Sequence, residues 1–272
     1  AEGESRELVT FTNEEQVLRV VPRERTAIYA RGSFFKPIIP TSRVGSFRLL
    51  DVLHPTEELK EAGSEKGAAI LNDDWDPASL FGMISALAPS CARQAPAEMS
   101  AILSSPEFVL CTDLGPEVAD FVATQGSRVA FIHAKAASTA RLCSASALHD
   151  VASQAIKNLP HLQPLADVGM QTGYWTRAWS APPHVTGATR RLREGNLSSG
   201  HEMWRHIRKV VAAPDSEREV WLVLGQSLSK EALEKQVKPR PEAQAIQIFS
   251  LLQTTWAAVS QLGGRLRIFC SP

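Results

Sequence analysis

The sequence predicts an α/β protein: a central mixed β-sheet flanked by helices, with a β-rich extension at its N-terminus. Three observations carry this reading. After residue 76, apolar runs of strand length alternate with runs at helical spacing, the pattern of a layered α/β core. Between Glu107 and Lys135, apolar runs are separated by tight turn signals. Glu219–Leu224, EVWLVL, is the near-continuous apolar run of a strand buried on both faces. We expect residues 1–72 to form the extension and 73–272 the core, with a basic, Trp-containing insertion at about 164–218.

Along residues 1–60 the short apolar runs Leu8–Phe11, Val17–Val21, Ala27–Tyr29 and Phe34–Ile39 suggest a meander. Glu57–Glu61 is a short helical candidate after Pro55, and Ala62–Gly67 (AGSEKG) is a loop by composition. Asp76 and Pro77 read as N-cap and first residue of a helix that carries Leu80, Phe81, Ile84 and Leu87 on one face and stops at Pro89. A further helical turn is expected at Ala97–Leu103.

Phe108–Cys111 then starts the strand meander. Leu114-Gly115-Pro116 and Gln125-Gly126-Ser127 are its turns, since Gly accepts positive φ and Pro fixes φ. Arg128–Lys135 is a β-rich run. Ala147–Leu159 follows as an amphipathic helix ended by Pro160. A helix is expected over Ser199–Val211, another over Ser229–Val237 with Ser229 as N-cap, and a long one over Glu242–Leu262 closed by Gly263-Gly264. Arg265–Cys270 is the last strand.

Composition narrows the function classes. At 272 residues, with 44% hydrophobic and 21% charged residues, the chain has enough material for a sizeable globular core. Cations and acids balance at 29 each, so net charge argues for no particular partner. The distribution is uneven, however. Arg177 to Lys209 holds seven cations against two acids. No apolar run reaches membrane-span length, and the polar start, AEGESRELVTF, has no secretory core. Cys91, Cys111, Cys143 and Cys270 lack zinc-ligand spacing, which fits a reducing cytoplasm. A start at Ala1 rather than Met suggests a piece of a longer chain.

Chemistry is expected where polar groups interrupt apolar runs. Glu117 and Asp120 do so on the second run of the meander, His133 and Lys135 on the third. Residues two apart in a strand share a face, so His133 and Lys135 point the same way. Glu117 and Asp120 are three apart and would oppose one another in a regular strand, unless the turn at Pro116 breaks it. A Lys at the end of a buried strand needs a carboxylate or phosphate partner. Each residue also has a bland reading: a turn cap for Asp120, a satisfied histidine for His133, a snorkelling stem for Lys135.

The order helix, three strands, helix, strand, with Asp120 in EVADF, His133-Ala134-Lys135 on the next strand, and Gln154 in the following helix (VASQAIKNL), resembles the PD-(D/E)XK nuclease superfamily. The resemblance covers roughly residues 76–160, and His133 stands where that family usually has an acidic residue. It implies a restriction-endonuclease-like core and metal-dependent phosphodiester hydrolysis with Mg²⁺ or Mn²⁺. Asp120 and His133 would hold the cation, and imidazole suits Mn²⁺ better than Mg²⁺. Glu117 would add a carboxylate. Lys135 would pair with the scissile phosphate or acidify the attacking water, and Gln154 would orient either one. Arg190, Arg191, Arg193, Arg205, Arg208 and Lys209 are the candidate nucleic-acid contacts.

The partner implied is nucleic acid, DNA ahead of RNA, with a larger protein or complex and a homodimer as further expectations. A place in prokaryotic defence or DNA processing follows by analogy alone. The phospholipase-D-like pattern fails because Ala140 stands where its Asp belongs and no second HxK occurs. No GxSxG, GxxxxGK[ST] or GxGxxG is present. The rival that remains is a nuclease-fold module that has lost catalysis and binds nucleic acid or protein.

Overall fold

The computed structural model describes residues 49–137, 142–165, 169–237 and 242–272, together with residue 10 and the backbone of residues 19–20, 28–30 and 33–35. The chain divides into two compact units, Ala1–Pro40 and Thr41–Pro272. In the first, β1 (Arg19–Val20), β2 (Ile28–Ala30) and β3 (Ser33–Phe35) form an antiparallel sheet in that order. The expected strand at 8–11 lies outside the described residues, apart from residue 10.

The second unit begins well before the expected boundary at residue 72. Its β4 (Leu53–Pro55) pairs in parallel with β14 (Arg265–Cys270), which places residues 53–55 in the main sheet. So short a strand, ending in Pro, gives little sequence signal and suits only a sheet edge. The Ala62–Gly67 loop and the hairpin of β5 (Ile70–Leu71) and β6 (Asp74–Trp75) follow. Asn72 and Asp73 both take positive φ in its two-residue turn, a conformation that Asn and Asp tolerate better than most side chains.

Helix α1 (Leu80–Ser85) has its N-cap at Ser79, three residues after the expected one. Asp76 instead accepts from the Ala78 N–H, and the Ser79 hydroxyl caps the helix by accepting from Gly82 N–H. Helix α2 (Ala97–Ser100) is one turn long. The meander then runs through β7 (Phe108–Cys111), β8 (Phe121–Gln125) and β9 (Arg128–Lys135), all antiparallel. Gln125 pairs with Arg128 across a two-residue turn in which Gly126 takes φ +59°. Helix α3 (Ala145–Asn158) carries the chain away.

The basic stretch forms the hairpin β10 (Trp179–Ala181) and β11 (Val185–Thr189), then β12 (Leu192–Glu194), then α4 (Gly200–Ala212). Ser199 and Glu202 form a reciprocal capping box on α4. β12 pairs with β7, so part of this expected insertion forms the edge of the main sheet. β13 (Glu217–Leu224), α5 (Lys230–Glu234), α6 (Ala243–Gln261) and β14 end the unit.

The main sheet has seven strands in the order β12-β7-β8-β9-β13-β14-β4, antiparallel from β12 to β9 and parallel from β9 to β4. α1 packs on one face, against Val109, Phe121, Ile132, Ala134 and Trp221. α3 packs against β9 and β13, and α6 against α3 and β14. No helix among the described residues is long and apolar enough to cross a membrane.

Candidate metal centre

The segment from Thr112 to Asp120, between β7 and β8, is the centre of the site. It is irregular because its two ends are tied together. Thr112 N–H donates to Asp120 O at 2.8 Å, and the Thr112 hydroxyl donates to Ala119 O. The Tyr174 hydroxyl sits 3.0 Å from Thr112 O and 3.1 Å from Pro116 O. Its ring lies so close over Gly115 that a Cβ there would stand 2.8 Å from the Tyr174 Cζ. Only glycine fits beneath that ring. Leu114, at φ +62°, reverses the chain, and its N–H donates to Glu117 Oε1 at 2.8 Å.

This loop brings three carboxylates together. Asp113, Glu117 and Asp120 each present an oxygen within 4.8 Å of the others. Glu117 and Asp120 share the site because neither lies in a regular strand, so the rule of opposite faces does not apply to them. Asp120 is buried, and its Oδ2 accepts from Ala134 N–H at 2.7 Å. Asp113 is also buried, and its Oδ2 accepts from Trp179 Nε1 at 2.7 Å. An edge-to-face cluster of Trp75, Phe81, Phe121 and Trp179 packs beside it, with centroids 4.9–5.6 Å apart for Phe81–Phe121, Trp75–Trp179, Trp75–Phe121 and Trp75–Phe81.

The charges are strongly coupled. Burial pushes the Asp120 carboxyl well above its ordinary range, and Asp113 pushes it further; the Ala134 N–H opposes this, while Glu65 and Glu117 add to it. Burial and Asp113 likewise raise Glu117. Burial alone would lower Lys66, but Asp113, Glu65 and Asp120 outweigh it and hold the ammonium charged. Lys66 Nζ lies 3.0 and 2.9 Å from the two oxygens of Asp113 and 3.4 Å from Glu65 Oε1. Lys135 Nζ lies 3.7 Å from Glu65 Oε2. Glu65 therefore borders both Asp120 and Lys135. Burial drives the Cys111 thiol far upward, which makes it a poor nucleophile or ligand.

Several expected residues stand elsewhere. His133 is buried in β9, and its pKa falls to about 3 through burial and the charge of Lys157 on α3. It therefore faces α3, while the carboxylate cluster takes up the backbone N–H of its neighbour, Ala134. The structure does not bring His133, an expected ligand, into the carboxylate cluster. Gln154 is exposed on α3 and also lies outside the cluster.

Arg191 and Arg193 are buried structural side chains. Arg191 Nη1 donates to Asp113 O at 2.5 Å, and its guanidinium lies 5.0 Å over the Tyr174 ring. Arg193 donates to Ser85 Oγ, Thr189 Oγ1 and Asp73 O, and pairs with Asp74 at 3.2 Å. Arg208 is spent on the carbonyls of His161, Gln163 and Pro164. Arg190 is largely exposed and 3.3 Å from Asp73, and Arg205 and Lys209 are exposed on α4.

Sequence reasoning passed over Asp113, Glu65 and Lys66. The signal for Asp113 was the spacing of three acids, 113, 117 and 120, within eight residues of an otherwise apolar stretch. Glu65 and Lys66 sat in a stretch whose small, polar composition reads as a loop, and nothing local ties it to the meander. Comparison with known proteins adds nothing to this geometry: no family model, curated protein or solved structure matches the chain.

Proposed function

We propose that this protein is a metal-dependent nuclease that hydrolyses phosphodiester bonds, with DNA as the first substrate to test, on a restriction-endonuclease-like core. The observation that carries this reading is the convergence of Asp113, Glu117 and Asp120 on one point beside Lys66, with Lys135 reaching Glu65 at its border. Three carboxylates and no nitrogen or sulfur form a hard donor set, suited to Mg²⁺ or Mn²⁺. The raised Asp120 and Glu117 fit such a group, since a cation relieves the repulsion that raises them. When bound, it would neutralise phosphate charge and lower the pKa of a water.

The chain's own residues do the rest. Asp113, Glu117 and Asp120 fix the position of positive charge. Lys135, at the end of β9, offers its ammonium to a non-bridging phosphate oxygen. Lys66 holds Asp113 in place until substrate enters. Water attacks phosphorus, the P–O bond to the leaving strand breaks, and the leaving oxygen takes up a proton. Four free cysteines support a cytoplasmic setting, and defence or DNA processing remains a reading by analogy.

The test is cleavage of labelled single- and double-stranded DNA with Mg²⁺ or Mn²⁺. Lys135→Ala should lower the rate by about 10²-fold, the usual loss when one charge-stabilising donor is removed. The second reading is a non-catalytic module. It is favoured by the Lys66–Asp113 pair, which partly balances the acids without a metal. Absence of cleavage with either metal in wild type and variant alike would select it.

A further inference from the structure

Behind the carboxylate loop lies a cavity of about 510 Å³, large enough for a nucleotide-sized group. Arg177, Arg190, Arg191 and Arg193 form part of its wall, with Asp73 and Glu194 as the only acids there. The acids are already engaged. Asp73 pairs with Arg190 at 3.3 Å and Arg193 at 3.8 Å, and Glu194 accepts from the Ser90 N–H at 2.9 Å. Two guanidiniums are left without a carboxylate among the described residues. Arg177 is exposed and its side chain has no partner there. Arg191 is 6% exposed, bonds through Nη1 to the backbone carbonyls of Asp113 and Cys111, and buries its Nε with no acceptor. A buried, unmatched cation is costly, and an anion in the cavity would offset it.

Ser198 and Met203 also line the cavity at the start of the 13-residue helix α4, whose first turn is already capped by Ser199 and Glu202. The cavity is physically joined to the acidic cluster. Residues 174–179 run between them: Tyr174 touches the loop carbonyls, Trp175 and Ala178 line the cavity, and Trp179 holds Asp113 Oδ2. Arg191 bridges the two through Asp113 O.

We propose that this cavity is a phosphate-binding subsite that grips a nucleic-acid strand one or more nucleotides away from the carboxylate loop. It rests on the nuclease reading only in taking nucleic acid as the carrier of the phosphate. The anion chemistry stands on the wall itself. Arg177 and Arg190 are the recognition residues, and Arg191 is a positioning residue that ties the subsite to the loop.

The experiment uses the full chain carrying Asp120→Asn, without divalent metal, and a fluorescein-labelled 12-nucleotide single strand read by anisotropy. Unlabelled dAMP and inorganic phosphate serve as competitors. Arg177→Glu and Arg190→Glu should each weaken strand binding about tenfold or more and lower the slope of log K against log salt by about one. Lys235→Glu, exposed just after α5 and outside the cavity, should change it less than about threefold. Should a reversal variant fail to fold, Arg177→Gln and Arg190→Gln read the same loss. If dAMP displaces the strand at equal phosphate concentration, the same subsite chemistry holds with a free nucleotide as its source. If the parent does not bind the strand, or binds it equally after the arginine substitutions, the subsite is overturned. Binding without cleavage in the wild-type chain would sink the nuclease reading alone.

Discussion

Two buried acids of the main sheet live in opposite surroundings. Glu219, on β13, is 1% exposed and fully answered. Arg267 grips it at 2.8 and 3.1 Å, Trp221 Nε1 donates at 2.7 Å, and Arg128 and Arg265 stand at 3.7 and 3.9 Å. Asp120, 5% exposed just before β8, has one backbone N–H and three other acids around it. Folding gave Glu219 a direct ion pair with Arg267, and Asp120 only the longer-range charge of Lys66, whose contacts go to Asp113 and Glu65. A site that keeps an excess of negative charge in the interior loses stability by doing so, which points to a cation from outside as its complement. Glu219 is architecture, and Asp120 is where the proposed chemistry would sit.

The comparison breaks first at Glu219. Glu219→Gln leaves the partly buried Arg267 without its counter-charge and should cost about 3 kcal/mol, the lower end of the usual penalty for opening a buried pair. Urea unfolding would read it, and a loss below about 1 kcal/mol would mean that Glu219 is not the anchor described. Asp120→Asn has the opposite sign. It removes one of the repelling charges while an amide oxygen can keep the Ala134 N–H bond, so the metal-free protein should melt a few degrees higher at pH 8. A lower midpoint would show that the carboxylate is balanced after all.

Lys66→Met sharpens the contrast further. It strips Asp113 of the cation 2.9 Å away, so the metal-free melting point should fall, and Mn²⁺ should raise it by more than in wild type. An equal metal response in both proteins would detach Lys66 from the site.

The smallest effect at neutral pH concerns His133. Its folded pKa is depressed from 6.5 to about 3, so the unfolded chain takes up the proton first as pH falls. Its contribution is therefore complete above about 6.5 and is lost progressively between 6.5 and about 3. His54, lowered to about 4 by burial and then by Arg267 and Lys230, adds to the same acid limb. His133→Leu should flatten part of that limb and leave stability at pH 8 nearly unchanged. A limb as steep as in wild type would remove His133 from the account.

The sheet was largely legible because its strands are long apolar runs bounded by Gly and Pro. Arg128–Lys135 and Arg265–Cys270 have the expected bounds, and Glu219–Leu224 extends by two residues to Glu217. The edges were not legible. Leu53–Pro55 and Leu192–Glu194 are three residues each, and pairing partners far along the chain decide them. The site was half legible. Asp120, Glu117 and Lys135 stood out as polar residues in apolar runs. His133 stood out for the same reason yet is buried near Lys157 of α3, while Lys135, at the end of the same strand, reaches Glu65. Asp113 was hidden in a turn, and Glu65 with Lys66 in a loop that only tertiary packing of Leu80 and Phe81 N–H against Ser64 and Glu65 carbonyls brings to the sheet.

The most direct test follows cleavage of a labelled oligonucleotide against Mn²⁺ concentration in wild type, Asp120→Asn and His133→Leu. The account predicts a saturable metal-dependent rate in wild type, its loss in Asp120→Asn, and its survival in His133→Leu. Cleavage that persists in Asp120→Asn, or that disappears only in His133→Leu, would contradict it.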